Sequence, residues 1–341
     1  MLDRRAALAL LGGGTIACST AGAPAPRLRT TREVLAFYYG WYGTPKGSGA
    51  WHHWHGPEAR AAAPRVNTPE LGLYDSHDPR VIARHAEWLQ QAGCTGIVSS
   101  WWGQGSFEDR TLELLIAPMH ARSLKVTAYV EMNQTGLAGA IADLAYLVRR
   151  YGDHPAWLRV DGRPVLFVYW GAIKALPAEE WKAAAEAVAA MGLPKPVLIG
   201  DINASDGFFF ERAPAFEGLH TYVMAPYIAG MTPKQIDAYA DEYYPRWKAR
   251  VGDRIYCATV IPGFDDRQVP GRTLPRPTVA RSGTGTFDAL WRSAIKTQAD
   301  WVMLTSFNEW HEASDIEPSK EYGDLFIRRN RHWASLYLRG K

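Results

Sequence analysis

Eight short apolar runs recur along the chain, each bounded by turn-forming residues: Val34–Tyr39, Gly96–Ser100, Lys125–Glu131, Pro164–Tyr169, Pro196–Asp201, Gly218–Tyr222, Arg254–Ile261 and Trp301–Ser306. Between most of them lie amphipathic segments with the helical period: Asp78–Gln91, Glu108–Arg122, Ile141–Tyr151, Ala178–Met191, Pro233–Arg250 and Thr286–Gln298. Asp78-Pro79 shows helix-starting chemistry, a capping side chain followed by proline in the first turn. Strand then helix, repeated eight times in a chain of 341 residues, predicts an α/β fold, a single (β/α)8 TIM barrel with elaborated βα loops over residues 32–341. No internal repeat or low-complexity segment argues for a solenoid.

In such a barrel the functional residues sit at the C-terminal ends of the strands. Those ends read Tyr38-Tyr39-Gly40-Trp41-Tyr42, Ser100-Trp101-Trp102-Gly103, Glu131, Tyr169-Trp170, Asp201, His220-Thr221-Tyr222, Pro262-Gly263-Phe264-Asp265-Asp266 and Asn308–Glu312. Nearly every one carries an aromatic ring, a carboxylate or both. A cleft that grips a polyhydroxylated ligand needs rings to stack on its C–H faces and acids to hold its hydroxyls. Fourteen Trp and sixteen Tyr fit that use, and equally fit large core fillers. The net charge of +3 is slight, and no basic run alternates with aromatics, so no nucleic-acid partner is expected.

The densest chemistry lies in Thr305-Ser306-Phe307-Asn308-Glu309-Trp310-His311-Glu312. On a turn or short helix, positions i and i+3 point the same way with Cβ atoms roughly 5–6 Å apart. Carboxyl pairs of retaining glycosidases are separated by roughly 5–5.5 Å. Two such groups held together cannot both ionise freely, which suits an acid and a base sharing the work. The competing reading is a solvated loop pair, with Trp310 plugging the barrel mouth.

Other candidates are weighed in the same way. Glu131 ends an apolar strand, so its carboxylate is either a hydroxyl-binding acid or part of a structural ion pair. Tyr222 and Tyr227 read either as substrate donors or as core rims. In the His52, His53 and His55 cluster, neighbours on an extended segment point to opposite faces, so the cluster is not read as a metal site. Arg276 and Arg281 fall in a Gly/Pro/Thr-rich stretch that reads as a solvated loop. Cys94 and Cys257 lack metal or redox spacing and read as buried free thiols. There is no nucleophile elbow and no phosphate-cradling glycine loop.

Residues 1–31 read as a signal peptide and tether. Arg4-Arg5 precede an apolar stretch too short to span a bilayer comfortably, and Thr15-Ile16-Ala17-Cys18 resembles a lipoprotein box with an imperfect first position. Export to the periplasm or cell surface is expected. Whether Cys18 is lipidated as a membrane tether or the leader is cleaved and the chain released stays open.

Taken in order, Phe37-Tyr38-Tyr39-Gly40-Trp41-Tyr42, Gly49-Ala50-Trp51-His52-His53-Trp54, Tyr74-Asp75-Ser76-His77-Asp78-Pro79, Ser100-Trp101-Trp102-Gly103, Asp161-Gly162-Arg163-Pro164-Val165, Ile261-Pro262-Gly263-Phe264-Asp265-Asp266 and Ser306–Glu312 with Ile316-Glu317-Pro318 resemble glycoside hydrolase family 99, the endo-α-1,2-mannosidase and mannanase family. The resemblance implies a retaining hydrolase cutting within α-mannosyl chains through a 1,2-anhydro sugar. Glu309 would assist deprotonation of the sugar's 2-hydroxyl, and Glu312 would serve as acid and base. It also implies Tyr39, Trp102, Glu131 and Tyr222 as substrate contacts. Trp54, Tyr227, Asn308 and His311 complete the candidate substrate-binding set. No metal or organic cofactor is expected, the partner is an α-mannan or mannose-containing oligosaccharide, and a monomer is expected. Ala313 stands where the family pattern has glycine, and Asp201–Glu211 matches poorly. Alternatives on the same barrel are a catalytically silent carbohydrate-binding protein and a protein assisting polysaccharide synthesis. A close carboxylate pair, which pure binding does not require, favours the enzyme.

Overall fold

The computed structural model describes residues 27–54, 66–133, 135–202, 207–269 and 271–340. Residues 1–26, Cys18 among them, and His55 lie outside the described residues, and with them most of the segment read as signal peptide and tether. Eight parallel strands form the barrel: β1 (Glu33–Tyr38), β2 (Gly96–Trp101), β3 (Lys125–Val130), β4 (Arg163–Val168), β5 (Val197–Asp201), β6 (Gly218–His220), β7 (Ile255–Val260) and β8 (Trp301–Leu304). Each pairs with the next, and β8 returns to β1, with Glu33 opposite Trp301 and Ala36 opposite Leu304. The eight predicted strands are thus the eight staves.

Side chains alternate along each strand, and both faces are buried, as a parallel sheet inside a ring of helices requires. Leu35, Phe37, Val98, Tyr129, Val165, Phe167, Ile199, Cys257, Trp301 and Met303 fill the inside of the barrel. Their neighbours Val34, Ala36, Tyr38, Ile97, Ala128, Leu166, Leu198, Ala258, Val302 and Leu304 pack outward against the helices. Each buried aliphatic or aromatic side chain contributes about 1.5–3 kcal/mol relative to an exposed one. Cys94 and Cys257 are buried free thiols, as expected.

The outer ring is α1 (Pro79–Gln91), α2 (Phe107–Ala121), α3 (Gly136–Tyr151), α4 (Ala178–Ala190), α5 (Pro233–Val251), α6 (Gly285–Lys296) and α7 (Leu325–Leu338). The Asp78 carboxylate accepts from Arg80 N with Pro79 opening α1, and Thr232 with Gln235 makes a capping box before α5. Two features depart from the sequence pattern. Helix α7 escapes it because Arg328, Arg329 and Arg331 crowd the stripe of Phe326, Ile327, Trp333, Ala334 and Tyr337 that it buries. After β5 the described residues hold the four-residue turn Gly207–Phe210 and the 3-10 turn Ala213–Ala215 in place of a long helix. Beyond β7 the chain folds a small antiparallel pair, Phe264–Asp265 with Thr278–Val279, which overhangs the C-terminal mouth of the barrel.

Candidate active site

The chain leaving β8 does not run off as a loop; it knots into a compact turn. Ser306 N donates to Ser314 O at 2.8 Å, and the two hydroxyls meet at 3.0 Å. The Ser306 hydroxyl also accepts from Glu309 N at 2.7 Å. Glu309 then caps the 3-10 turn Trp310–Glu312, its Oε1 accepting from His311 N at 3.0 Å. Ala313 ends the turn in the left-handed region, with φ of 49° and ψ of 33°. That conformation costs a non-glycine residue roughly 1–2 kcal/mol, a physical reason for glycine to be favoured there.

Asn308 fastens this turn to the other end of the chain. Its Oδ1 accepts from Tyr39 N at 2.8 Å, and its Nδ2 donates to Tyr39 O at 2.9 Å and to Tyr74 OH at 3.0 Å. Trp310 is buried beneath the turn, its indole N–H donating to Tyr74 OH, which donates in turn to Glu317 Oε2 at 2.9 Å. Trp310 therefore props the turn from below.

Above the turn opens a cleft of about 390 Å³ lined by Tyr39, Trp41, His53, Trp102, Glu108, Glu131, Tyr169, Tyr222, Arg272, Glu309 and Glu312. Trp102 is 41% exposed, so much of its ring is open to a ligand. Its orientation is set by a relay: the indole N–H donates to Ser100 Oγ at 2.9 Å, and that hydroxyl donates to Glu131 Oε1 at 2.8 Å. Trp41 stacks on His53 with ring centres 3.8 Å apart and sits 6.2 Å from Trp102. The Tyr39 hydroxyl donates to that of Tyr222, which lies 3.5 Å from Glu312 Oε2.

Burial sets the electrostatics. Desolvation, then the charge of Glu312, pushes the Glu309 carboxyl well above the usual range, and desolvation also raises Glu312, against the pull of Arg272. Desolvation moves Glu131 to about 8 and Asp201 to about 7, while it pushes His53 down to about 3, leaving that ring neutral. A carboxyl whose folded pKa exceeds its unfolded one binds more protons in the native state between the two values. Stability therefore falls as pH rises from the ordinary range near 4.5 through about 8 for Glu131. Glu131→Gln removes that loss: its melting temperature is expected to exceed the parent's at pH 8 and to match it near pH 4. An unaltered difference between the two pH values would place an ionised Glu131 in the resting fold.

Six of the ten candidate residues therefore meet in one cleft: Glu309, Glu312, Tyr39, Trp102, Glu131 and Tyr222. The other four do not line it. Trp54 is fully buried, stacked on Tyr42 at 3.9 Å with its N–H donating to Tyr74 O, so it is a packing ring rather than a substrate contact. Asn308 is likewise buried and acts on Tyr39. His311 turns its Nε2 to His53 O at 3.0 Å. Tyr227 lies on the short helix Ala225–Ile228 and stacks on Tyr243, with ring centres 5.9 Å apart. His52 and His53 do point apart, His52 stacking on Phe107 and His53 on Trp41. Among the described residues no three His, Cys, Asp or Glu side chains gather as a metal site.

Asp201 supports the cleft from beneath, accepting from Tyr222 N at 2.8 Å and from Tyr129 OH at 3.2 Å. The solvated-loop reading fails for Arg281, which is buried, pairs with Asp315 at 2.9 Å and donates to Ala313 O at 3.0 Å. Arg276 grips the buried Asp266. Glu108 and Arg272, both in the cleft wall, carry no signal of a site in the sequence. Glu108 reads there as the first turn of a helix, and nothing in the loop distinguishes Arg272 from its neighbouring arginines.

A (β/α)8 barrel carrying two carboxyls on one turn, Glu309 buried and Glu312 half-buried, at the bottom of an aromatic-walled cleft, has the architecture of a glycoside hydrolase. The family model described as Glycosyl hydrolase family 99 matches residues 30–338. The chain belongs to that family and is a glycoside hydrolase. It is similar to glycoprotein endo-α-1,2-mannosidase of Rattus norvegicus, 25% identical over 89% of this chain and 72% of the relative. Its likeness to a Homo sapiens glycoprotein endo-α-1,2-mannosidase-like protein is also 25%, over 93% of this chain and 76% of that one. Among solved structures, the GH99 endo-α-mannosidase of Bacteroides thetaiotaomicron in complex with BIS-TRIS-propane superposes with a TM-score of 0.74 and 26% identity, covering 90% of this chain and 98% of that chain.

Proposed function

We propose that the protein is an exported, retaining, endo-acting hydrolase of α-1,2-mannosidic linkages in mannan-type or N-glycan-type chains. The observation that carries the reading is the pair Glu309 and Glu312, presented by one turn to one cleft in a chain of this family. The relatives named above, endo-α-mannosidases by description, supply the sugar and the mode of attack.

The chemistry fits mannose for a stereochemical reason. In an α-mannoside the 2-oxygen and the leaving oxygen lie on opposite faces of the ring, so O2 can displace the leaving group at C1 in line. The Glu309 carboxylate takes the 2-hydroxyl proton as the O2–C1 bond forms and the C1–O1 bond breaks, while Glu312 gives its proton to O1. Water then opens the 1,2-anhydro sugar at C1, giving its proton to Glu312 as Glu309 returns one to O2. Two inversions leave the configuration retained. The scheme departs from direct attack of a carboxylate on carbon. It needs one proton shared by two carboxyls, which their mutual repulsion and burial favour.

Incubating the leaderless protein with α-1,2-branched mannan, and with glucosyl- or mannosyl-1,3-mannosyl-1,2-mannose probes, tests the reading. Disaccharide release is expected; silence on every substrate, with binding retained, would favour a carbohydrate-binding protein. Export rests on the leader sequence, and a full-length chain recovered in the cytoplasm would remove it.

Trp102 is the ring on which the distal sugar is expected to stack. Trp102→Ala should weaken oligosaccharide binding by about 1–3 kcal/mol, measured by calorimetry in a Glu312→Gln background. An unchanged affinity would take the ring out of recognition.

A further inference from the structure

Arg272 reaches into the cleft from the loop between Phe264–Asp265 and Thr278–Val279. Its Nη2 lies 3.6 Å from Glu312 Oε1, and its Nε lies 3.5 Å from Asp266 Oδ2. These distances exceed those of charge-assisted hydrogen bonds, so the guanidinium sits between two carboxylates and is locked to neither. Its side chain is 41% exposed, whereas that of Asp266 is fully buried. Asp266 has its own partner in Arg276, whose Nε lies 3.0 Å from both carboxylate oxygens. Arg272 is therefore free to move without stranding a buried charge.

The groups that face Glu312 are Tyr39 from the end of β1, Glu131 beyond β3, Tyr169 beyond β4, Tyr222 beyond β6, Glu309 on its own turn, and Asp266, Arg272 and Arg276 from the overhanging loop. Arg272 is the cation among the described residues that line the cleft itself. Its guanidinium lies against Glu312 and favours the ionised form there; it acts on the more deeply buried Glu309 as well, but behind burial and the neighbouring carboxylates, so in the free enzyme a single shared proton is drawn to Glu309. The proposed reaction begins from the opposite arrangement.

We propose that Arg272 is a positioning residue for the proton of the catalytic pair: it holds Glu312 ionised in the empty site, and a sugar entering on the leaving-group side draws the guanidinium onto its hydroxyls. Glu312 then takes the proton from Glu309, which is left ionised as the base for the 2-hydroxyl. The pair holds one proton before and after, so no outside acid is needed. The sugar that is to be expelled thereby arms its own acid. This inference rests on the mannosidase reading for its kinetics but not for its titration.

The test compares the parent with Arg272→Met and Arg272→Lys. In kcat/KM, which reports the free enzyme, the alkaline limb should move up by about one pH unit in Arg272→Met, because a nearby cation no longer favours ionised Glu312. In kcat, which reports the loaded enzyme, the limb should stay in place, because the sugar has already drawn the arginine away. Arg272→Lys should keep both limbs near the parent's. An unmoved kcat/KM limb in Arg272→Met, or limbs that move together in kcat and kcat/KM, would overturn the proposal. Infrared titration of the protonated-carboxyl band, assigned by subtracting Glu312→Gln, reads the same shift without turnover. If no substrate is cut yet the Glu312 band titrates higher in Arg272→Met, the mannosidase reading fails and the control of Glu312 by Arg272 stands. A band that does not move overturns that control.

Discussion

Glu312→Gln is expected to lower hydrolysis of an α-1,2-mannoside by about a thousandfold, within the usual range for losing a general acid–base group. The amide keeps the size of the carboxyl, so Tyr222 and Arg272 retain a partner of the same shape. Folding should be kept or improved, because burial already disfavours the charged carboxylate. The diagnostic is the leaving group. An aryl glycoside whose phenolate departs without a proton should recover much of the first step in Glu312→Gln, since only O1 protonation is missing. The second step still lacks its base, so the anhydro sugar or its trapped adduct should accumulate. Rapid-mix kinetics with mass detection reads both, and undiminished turnover would remove Glu312 from the mechanism.

Glu309→Gln should bring a loss of similar size with the opposite diagnostic. Its proposed task is to take the 2-hydroxyl proton, and a better leaving group does not supply a base. The aryl glycoside should therefore be cut as poorly as the natural linkage, with binding affinity near the parent's. Because the two carboxyls act as a unit, the double variant should be little slower than either single one. Recovery of Glu309→Gln by the activated substrate would exchange the two assignments.

The sequence made the barrel legible because each stave is buried on both faces and shows as an uninterrupted apolar run, while most helices keep a clean stripe. It also made much of the site legible, because Tyr39, Glu131, Trp102, Tyr222, Glu309 and Glu312 all lie just past a strand, where the fold sends side chains to the mouth. Four residues show where such reasoning stops. Trp54, Asn308 and His311 look in sequence like any polar or aromatic neighbour of a site, and only the folded paths of the loop after β1 and the turn after β8 show them facing inward to build it. Tyr227 is carried off by a short helix into a stack with Tyr243 and Tyr239. Arg272 and Arg281 depend on how an irregular loop doubles back, and that path has no periodicity to read. The segment between β7 and α6 places one arginine in the cleft and buries the other under the turn.

Asn308 clasps the backbone of Tyr39 across 269 positions of sequence. The carboxyl pair belongs to the turn after the last stave, yet that turn is clasped into place, and faces its tyrosine, only through the first. A nascent chain holds the two carboxyls and the tyrosines without the geometry that joins them. Glycan cutting consequently becomes a readout of topology, switched on only when the first and last strands close the ring.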